Sequence, residues 1–306
     1  LLAQDRHAEA LLLYERAINL APDSPDAWFA MGATKNRQGQ PEEAWAAFNQ
    51  VVTLDPRFAL AWASKANVLV GMGQFGEALI ACERALDLDA NSAFAWNNKG
   101  VALMGLQRTG DALVAYDAAV TLDANSADFW RNKGLALARL QRYEEAVTAY
   151  ERAVRLTPSF TLAWVSLANS LFRLQRYPET LNACDHALAL DPGNSSLWNR
   201  KGSALAALQR YEEAANACER AITLAPTFAA AWSNKGGALA GLQHYAEALS
   251  ACDRALVLDP TFLPAWRNEV VILRAMGREA EAQEAAKRES EVMEAQARER
   301  ARITGA

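Results

Sequence analysis

The stretch Ser126–Pro158, SADFWRNKGLALARLQRYEEAVTAYERAVRLTP, carries in one unit the pattern from which the rest of the chain can be read. Trp130, Gly134 and Leu137 stand four and three residues apart, and Ala146, Tyr150 and Ala153 repeat that spacing further on. Intervals of three and four place side chains on one face of a 3.6-residue helix, so the unit reads as two amphipathic helices. LQRYEEA, at Leu140–Ala146 and again at Leu208–Ala214, marks the turn between them and the start of the second. Ser126 is a fitting N-cap, as are Ser24 and Ser92 in the corresponding places. Pro158 is expected to stop the second helix, because proline cannot continue the hydrogen-bond ladder.

Working outward, the same unit recurs every 34 residues with no insertion: Trp28, Trp62, Trp96, Trp130, Trp164, Trp198, Trp232 and Trp266 form one column. Of the nine tryptophans only Trp45 stands outside it. Four residues after each tryptophan comes a small residue (Gly32, Ala66, Gly100, Gly134, Ala168, Gly202, Gly236), with Val270 the exception. Twenty after it stands Phe48, Tyr116 or Tyr150, or one of Cys82, Cys184, Cys218 and Cys252. One hairpin cannot bury this face alone, so its neighbours must cover it. A fixed period with a small-residue column against an aromatic column implies stacked hairpins.

This W…G…A…F/Y…A…P pattern resembles the tetratricopeptide repeat family over nearly the whole chain. The resemblance implies an all-α fold, a right-handed α-solenoid or superhelix of helical hairpins. We expect a solenoid over residues 1–286, with a partial first repeat at 1–24 (Ala10, Tyr14, Ala17, Pro22) followed by eight repeats. From Arg278 the last second helix is free of glycine and proline, and residues 287–306 are expected to form a capping extension with a polar outer side. Because the chain begins mid-pattern, a fragment of a longer protein is expected.

Composition narrows the function classes. Hydrophobic residues make up 51 % of the chain, enough for a sizeable core. A net charge of −5 speaks against a nucleic-acid binder. No apolar run approaches the ~18 residues of a membrane span. The four cysteines occupy equivalent positions of different repeats, too far apart for bridges, and read as buried thiols of a reducing, cytoplasmic compartment. His7, His186 and His244 lie in different repeats, with no spacing that converges on a metal or a nucleophile. Adjacent glutamates in YEEA favour the positive end of a helix rather than acid–base chemistry. No glycine-rich phosphate loop occurs, so neither an enzyme nor a cofactor is expected.

The candidate site is the concave face that the first helices would line. With tryptophan, glycine and leucine turned to the core, the opposite side carries the residues two before and one, two, five and eight after each tryptophan. An asparagine recurs there: Asn98, Asn132, Asn234 and Asn268, with Asn97 and Asn199 beside them and Asn67 and Asn169 one turn on. An asparagine amide both donates and accepts, so it can hold a peptide backbone whatever its side chains. The column looks like the asparagine ladder of the O-linked N-acetylglucosamine transferase repeats, which implies an extended polypeptide along the groove. Arg131, Arg139, Arg173, Arg200, Arg267 and Arg274 add positive charge, and Phe94, Met104, Leu135, Leu162, Val165 and Phe172 an apolar patch. The lysine–asparagine clamp of chaperone adaptors is absent, since no lysine follows any column tryptophan directly. Five of the seven lysines (Lys65, Lys99, Lys133, Lys201, Lys235) stand three after the tryptophan, where the stem is expected to lie along the ring.

These observations favour a non-catalytic scaffold for a protein or extended peptide, with neither nucleic acid nor membrane as partner. Two alternatives stand beside it: a sensor or regulatory arm of a larger enzyme or signalling protein, and a structural repeat domain that associates end to end.

Overall fold

A computed structural model of the chain describes residues 7–304, with side chains over 9–302. Among the described residues there are seventeen helices and no strand. The chain divides into two compact units, Leu1–Pro158 and Ser159–Ala306. The first unit opens with α1 (His7–Leu20), the second helix of the incomplete repeat; residues 1–6 of that repeat lie outside the described residues. Four hairpins follow: α2 (Pro25–Arg37) with α3 (Pro41–Leu54), α4 (Ala59–Gly71) with α5 (Phe75–Leu88), α6 (Ala93–Gly105) with α7 (Thr109–Leu122), and α8 (Ala127–Arg139) with α9 (Tyr143–Leu156). The second unit holds α10 (Thr161–Arg173) with α11 (Tyr177–Leu190), α12 (Ser195–Ala207) with α13 (Tyr211–Leu224), α14 (Ala229–Gly241) with α15 (Tyr245–Leu258), and α16 (Leu263–Ala275) with α17 (Glu279–Thr304). The first helix of each pair is called A below and the second B. Within each unit the chain is an all-α solenoid of helical hairpins.

Size complementarity closes each hairpin. A Cβ added at Gly100 or Gly134 would lie 2.5 or 2.6 Å from the ring of Tyr116 or Tyr150, sixteen residues on. Where that position is Cys218 or Cys252, the partner glycine (Gly202, Gly236) lets the backbones close until the missing Cβ would meet the sulfur at 2.5–2.6 Å. Small residues therefore permit the A–B approach, while Leu137 and Leu205, each 1–2 % exposed, fill the space one turn on. Burying one leucine side chain is worth about 1.5–3 kcal/mol before entropy is counted.

Both turns of the repeat have a defined chemistry. Between A and B, Gln107, Gln141, Gln175, Gln209 and Gln243 take φ of 59–64°, where Gly39, Gly73 and Gly277 stand in other repeats. The next amide closes the helix end, as Arg142 N–H donates to the Leu137 carbonyl over 2.9 Å. Between repeats, α3, α5, α7 and α15 stop at an aspartate whose carboxylate accepts from the amide two residues on, as in Asp55 with Arg57 and Asp259 with Thr261 (both 2.9 Å), whereas Thr157 and Ala225 stand in that place after α9 and α13. The column tryptophan then fastens this turn: the indole N–H of Trp62, Trp96, Trp130, Trp198, Trp232 and Trp266 donates to the carbonyl six residues earlier at 2.9–3.0 Å. Proline is thus not required to end a B helix. With Ala90 and Ala124 in the proline position, α5 and α7 end in the same register at Leu88 and Leu122, because aspartate and indole still hold the turn.

Ser24, Ser92 and Ser126 cap α2, α6 and α8 through side-chain bonds of 3.3–3.4 Å, and Asn194 does the same for α12 at 3.1 Å. At the carboxyl end α17 runs unbroken through residue 286. Its later part returns to the last hairpin: Gln296 Nε2 donates to the Thr261 carbonyl over 2.9 Å, and Val292 packs against the core around Trp266 and Val270.

Candidate functional site

The A helices build the candidate site, and their side-by-side packing decides which side chains remain for a ligand. In the first unit the Asn98 amide donates to the Ala63 carbonyl over 3.1 Å, Asn132 donates to Asn97 Oδ1 over 2.9 Å, and Asn36 donates to Asn67 Oδ1 over 3.4 Å. In the second, Asn234 donates to Asn199 Oδ1 (2.8 Å) and Ser203 Oγ (2.9 Å), and Asn268 donates to the Ser233 carbonyl over 3.0 Å. The four asparagines of the column two after the tryptophan, Asn98, Asn132, Asn234 and Asn268, therefore each tie their repeat to the one before it, 31 or 35 residues earlier. Asn98 is 2 % exposed and Asn97 8 %, so these two do not face a ligand freely as the helical wheel suggested. A helical wheel describes an isolated helix, whereas in the fold a neighbouring A helix covers this edge.

The remaining predicted residues divide by exposure. Arg139, Asn169, Arg173, Arg267 and Arg274 are exposed, and Asn67, Arg131, Asn132, Asn199, Arg200, Asn234 and Asn268 are half-buried. Arg267 is held by Glu289 of α17 at 2.8 Å, and Arg274 lies 3.9 Å from Glu279. Arg131 donates to Asn132 Oδ1 at 3.2 Å, while its covered Nε has no partner. Of the apolar set, Phe94 and Leu162 are exposed, Leu135, Val165 and Phe172 half-buried, and Met104 is turned into the core at 8 % exposure. Met104 is thus corrected from a groove residue to a packing residue, on the same helix edge as Asn97.

One feature of this face was missed in the sequence. Tyr211, Gly237, Ala240, Gly241, Tyr245, Asn268, Val271, Ile272 and Ala275 line an open cleft of about 320 Å³ between A helices α14 and α16. The absent side chain of Gly241 makes room for the Tyr211 ring, and Gly105 does so for Phe75 in the first unit. The signal was a second glycine column, Gly71, Gly105 and Gly241, nine residues after the tryptophan and outside the hairpin-packing positions.

The lysine column proves to be a packing device. Lys65, Lys99, Lys133, Lys201 and Lys235 each set Nζ 5.2–5.5 Å from the ring of their own tryptophan. Sixteen residues earlier a B-helix side chain takes the ammonium: Asn49, Glu83, Asp117, Asp185 or Glu219, at 2.5–3.4 Å. Where Leu167 replaces the lysine, His186 stacks on Trp164 instead, 4.4 Å between centroids. Where Glu269 replaces it, burial first and Asp253 second hold the Glu269 carboxyl above its ordinary range.

The four cysteines are free and buried, and burial pushes their thiols up to about 12. His186 and His244 lie in separate hairpins, and the His7 side chain lies outside the described residues. Among the described residues no group of three or more His, Cys, Asp or Glu side chains is placed to hold a metal ion, and no helix is long and apolar enough to cross a membrane.

Paired helices of fixed period, closed by small-to-large contacts and latched by an indole, define a helical-repeat scaffold. The particular repeat is the tetratricopeptide repeat: its pattern matches residues 1–68, 59–92, 97–159, 165–229 and 199–261, and the chain belongs to this family. No functionally curated protein matches it in sequence. Among solved structures it is similar to YrrB, "a TPR protein with an unusual peptide-binding site" (23 % identity, TM-score 0.56, 61 % of this chain and 96 % of that one). It is also similar to pilF of Pseudomonas aeruginosa (21 %, 0.59, 66 % and 92 %) and to the Cut9–Hcn1 assembly of the APC/C (18 %, 0.56, 90 % and 54 %). At these identities the likeness is one of fold.

Proposed function

We propose that this chain is a non-catalytic scaffold that holds an extended segment of a protein partner against the A-helix face of its repeats. The observation that carries this reading is the cleft on α14 and α16. Two tyrosine rings and glycine- and alanine-lined helices leave a recess of side-chain size there, with Val271 63 % exposed beside it. Apolar recesses flanked by polar groups are where a partner's side chains find specificity. The described peptide-binding site of YrrB, on the same fold, supports the same kind of use. Fluorescence polarisation of randomised decapeptide pools on the full chain tests it. Val271→Arg or Ala240→Trp, which obstruct the cleft, are expected to weaken binding at least tenfold, whereas binding unchanged in both variants would contradict it.

A second reading has its own observation. On α1, Leu12, Leu13 and Leu20 are 67, 54 and 80 % exposed, an apolar surface suited to cover by a second copy of the chain. Light scattering from micromolar to millimolar chain is then expected to show mass rising with concentration, and Leu12→Glu with Leu13→Glu to abolish the rise. A monomeric mass throughout would remove this reading.

A further inference from the structure

Arg200 departs from the asparagine column in which it stands. The longer side chain reaches from α12 to α10, where its guanidinium lies 4.6 Å from the Phe172 ring and Nε donates to Asn169 Oδ1 over 3.1 Å. Tyr177 meets the Phe172 ring edge-on, 5.6 Å between centroids. Five other basic side chains of the same unit each meet a carboxylate: Arg176 with Glu179, Lys201 with Asp185, Arg210 with Glu213, Lys235 with Glu219 and Arg267 with Glu289. Arg200 has an amide oxygen instead. The ionisable groups bearing on it are a second cation, Arg173, and the Cys184 thiol, which is protonated at neutral pH. Burial and Arg173 depress its pKa, the signature of a cation set into the face with no compensating charge. Stacking and the Nε bond fix the plane of the fork and leave the two terminal nitrogens, the pair that grips a carboxylate in a bidentate fashion.

We propose that Arg200 anchors a glutamate or aspartate side chain of the bound segment, the stacked guanidinium on Phe172 being a carboxylate-binding site of the A-helix face. This rests on the peptide-holding reading above and adds the chemistry of the peptide. An acidic residue supplies the charge that Arg200 lacks, and exposed Leu162 and half-buried Val165, on the same helix as Phe172, suit an apolar residue beside it. A side chain rather than a chain terminus is assigned because A helices adjoin α12 on both sides, α10 through Asn169 and α14 through Asn234, so a segment that ended at Arg200 would leave one side uncovered.

The test uses the full chain and fluorescein-labelled, C-amidated decapeptide pools, randomised except for a central Glu, Gln or Lys. The Glu pool is expected to bind at least tenfold more tightly than the Gln pool, with the Lys pool weakest. Arg200→Met, which keeps an apolar stem on Phe172, is expected to erase the Glu preference and leave Gln-pool binding unchanged; Arg254→Met, on the exposed side of α15, leaves both unchanged. Arg200→Lys keeps the charge without the fork and is expected to fall between, which secures the result if the methionine variant melts early. Equal affinity for Glu and Gln pools, or a Glu preference that survives Arg200→Met, overturns the anchor while the peptide-holding reading stands. Tighter binding of a pool with a free C-terminal carboxylate and no acidic residue overturns the side-chain assignment. Binding of no pool at all overturns both.

Discussion

At the A–B turn, five glutamines sit at φ of 59–64°, a conformation that costs an L-residue about 1 kcal/mol relative to glycine. Gln141→Gly is expected to stabilise the chain by about 0.5–1 kcal/mol in urea unfolding, glycine being the residue that Gly39, Gly73 and Gly277 place at this position in other repeats. A lower midpoint would mean that the glutamine side chain contributes something the backbone argument omits. Residue 269 makes the opposite case. The Glu269 carboxyl sits above its ordinary range through burial and Asp253, with Arg278 and Arg288 the cations facing the pair and one oxygen covered and unpartnered. A carboxyl whose folded pKa is raised contributes stability below the unfolded pKa, near 4.5, and that contribution is lost as pH rises through the folded value. Glu269→Lys restores the column's lysine beside Trp266 and Asp253. It is expected to raise stability by about 1 kcal/mol at pH 7 and to flatten the fall between pH 4 and 7. A variant less stable than the parent at pH 7 would contradict that geometry.

On the scale of the helix and its turns, the sequence disclosed the pairing and the period but misattributed the stop. The 34-residue tryptophan column located every hairpin, and the serine caps at Ser24, Ser92 and Ser126 were found where expected. Proline is visible in the sequence as a helix stop, whereas the indole N–H that reaches back six residues is a contact no helical wheel displays. Trp232→Phe removes that bond to the Pro226 carbonyl while keeping an aromatic body. A loss of about 0.5–1.5 kcal/mol is expected. Hydrogen exchange should show the added mobility in the 225–229 turn rather than within α14. Exchange spread evenly over the hairpin would instead point to lost packing.

For the molecule as a whole, the fold was legible because every repeat votes on the same columns, and local and nearest-neighbour contacts then specify the stack. The site was less so. Residues that differ between repeats carry it, and whether Asn98 or Asn169 meets solvent depends on how closely one A helix approaches the next: Asn98 ends buried, while Asn169 stays exposed and accepts from Arg200. The two features that best suit a ligand, the tyrosine-lined cleft and the stacked Arg200, both arise at positions that vary between repeats: Gly241 in a glycine column only some repeats keep, and an arginine in place of asparagine. The most direct measurement of the central claim is photo-crosslinking of benzoylphenylalanine-bearing decapeptides, drawn from the tightest-binding pool, to the full chain, with the sites read by mass spectrometry. Crosslinks on the A helices, at Leu162, Asn169 and Val271, are the predicted result. Crosslinks gathered instead on exposed B-helix residues such as Ile80, Val114 and Val257 would contradict it.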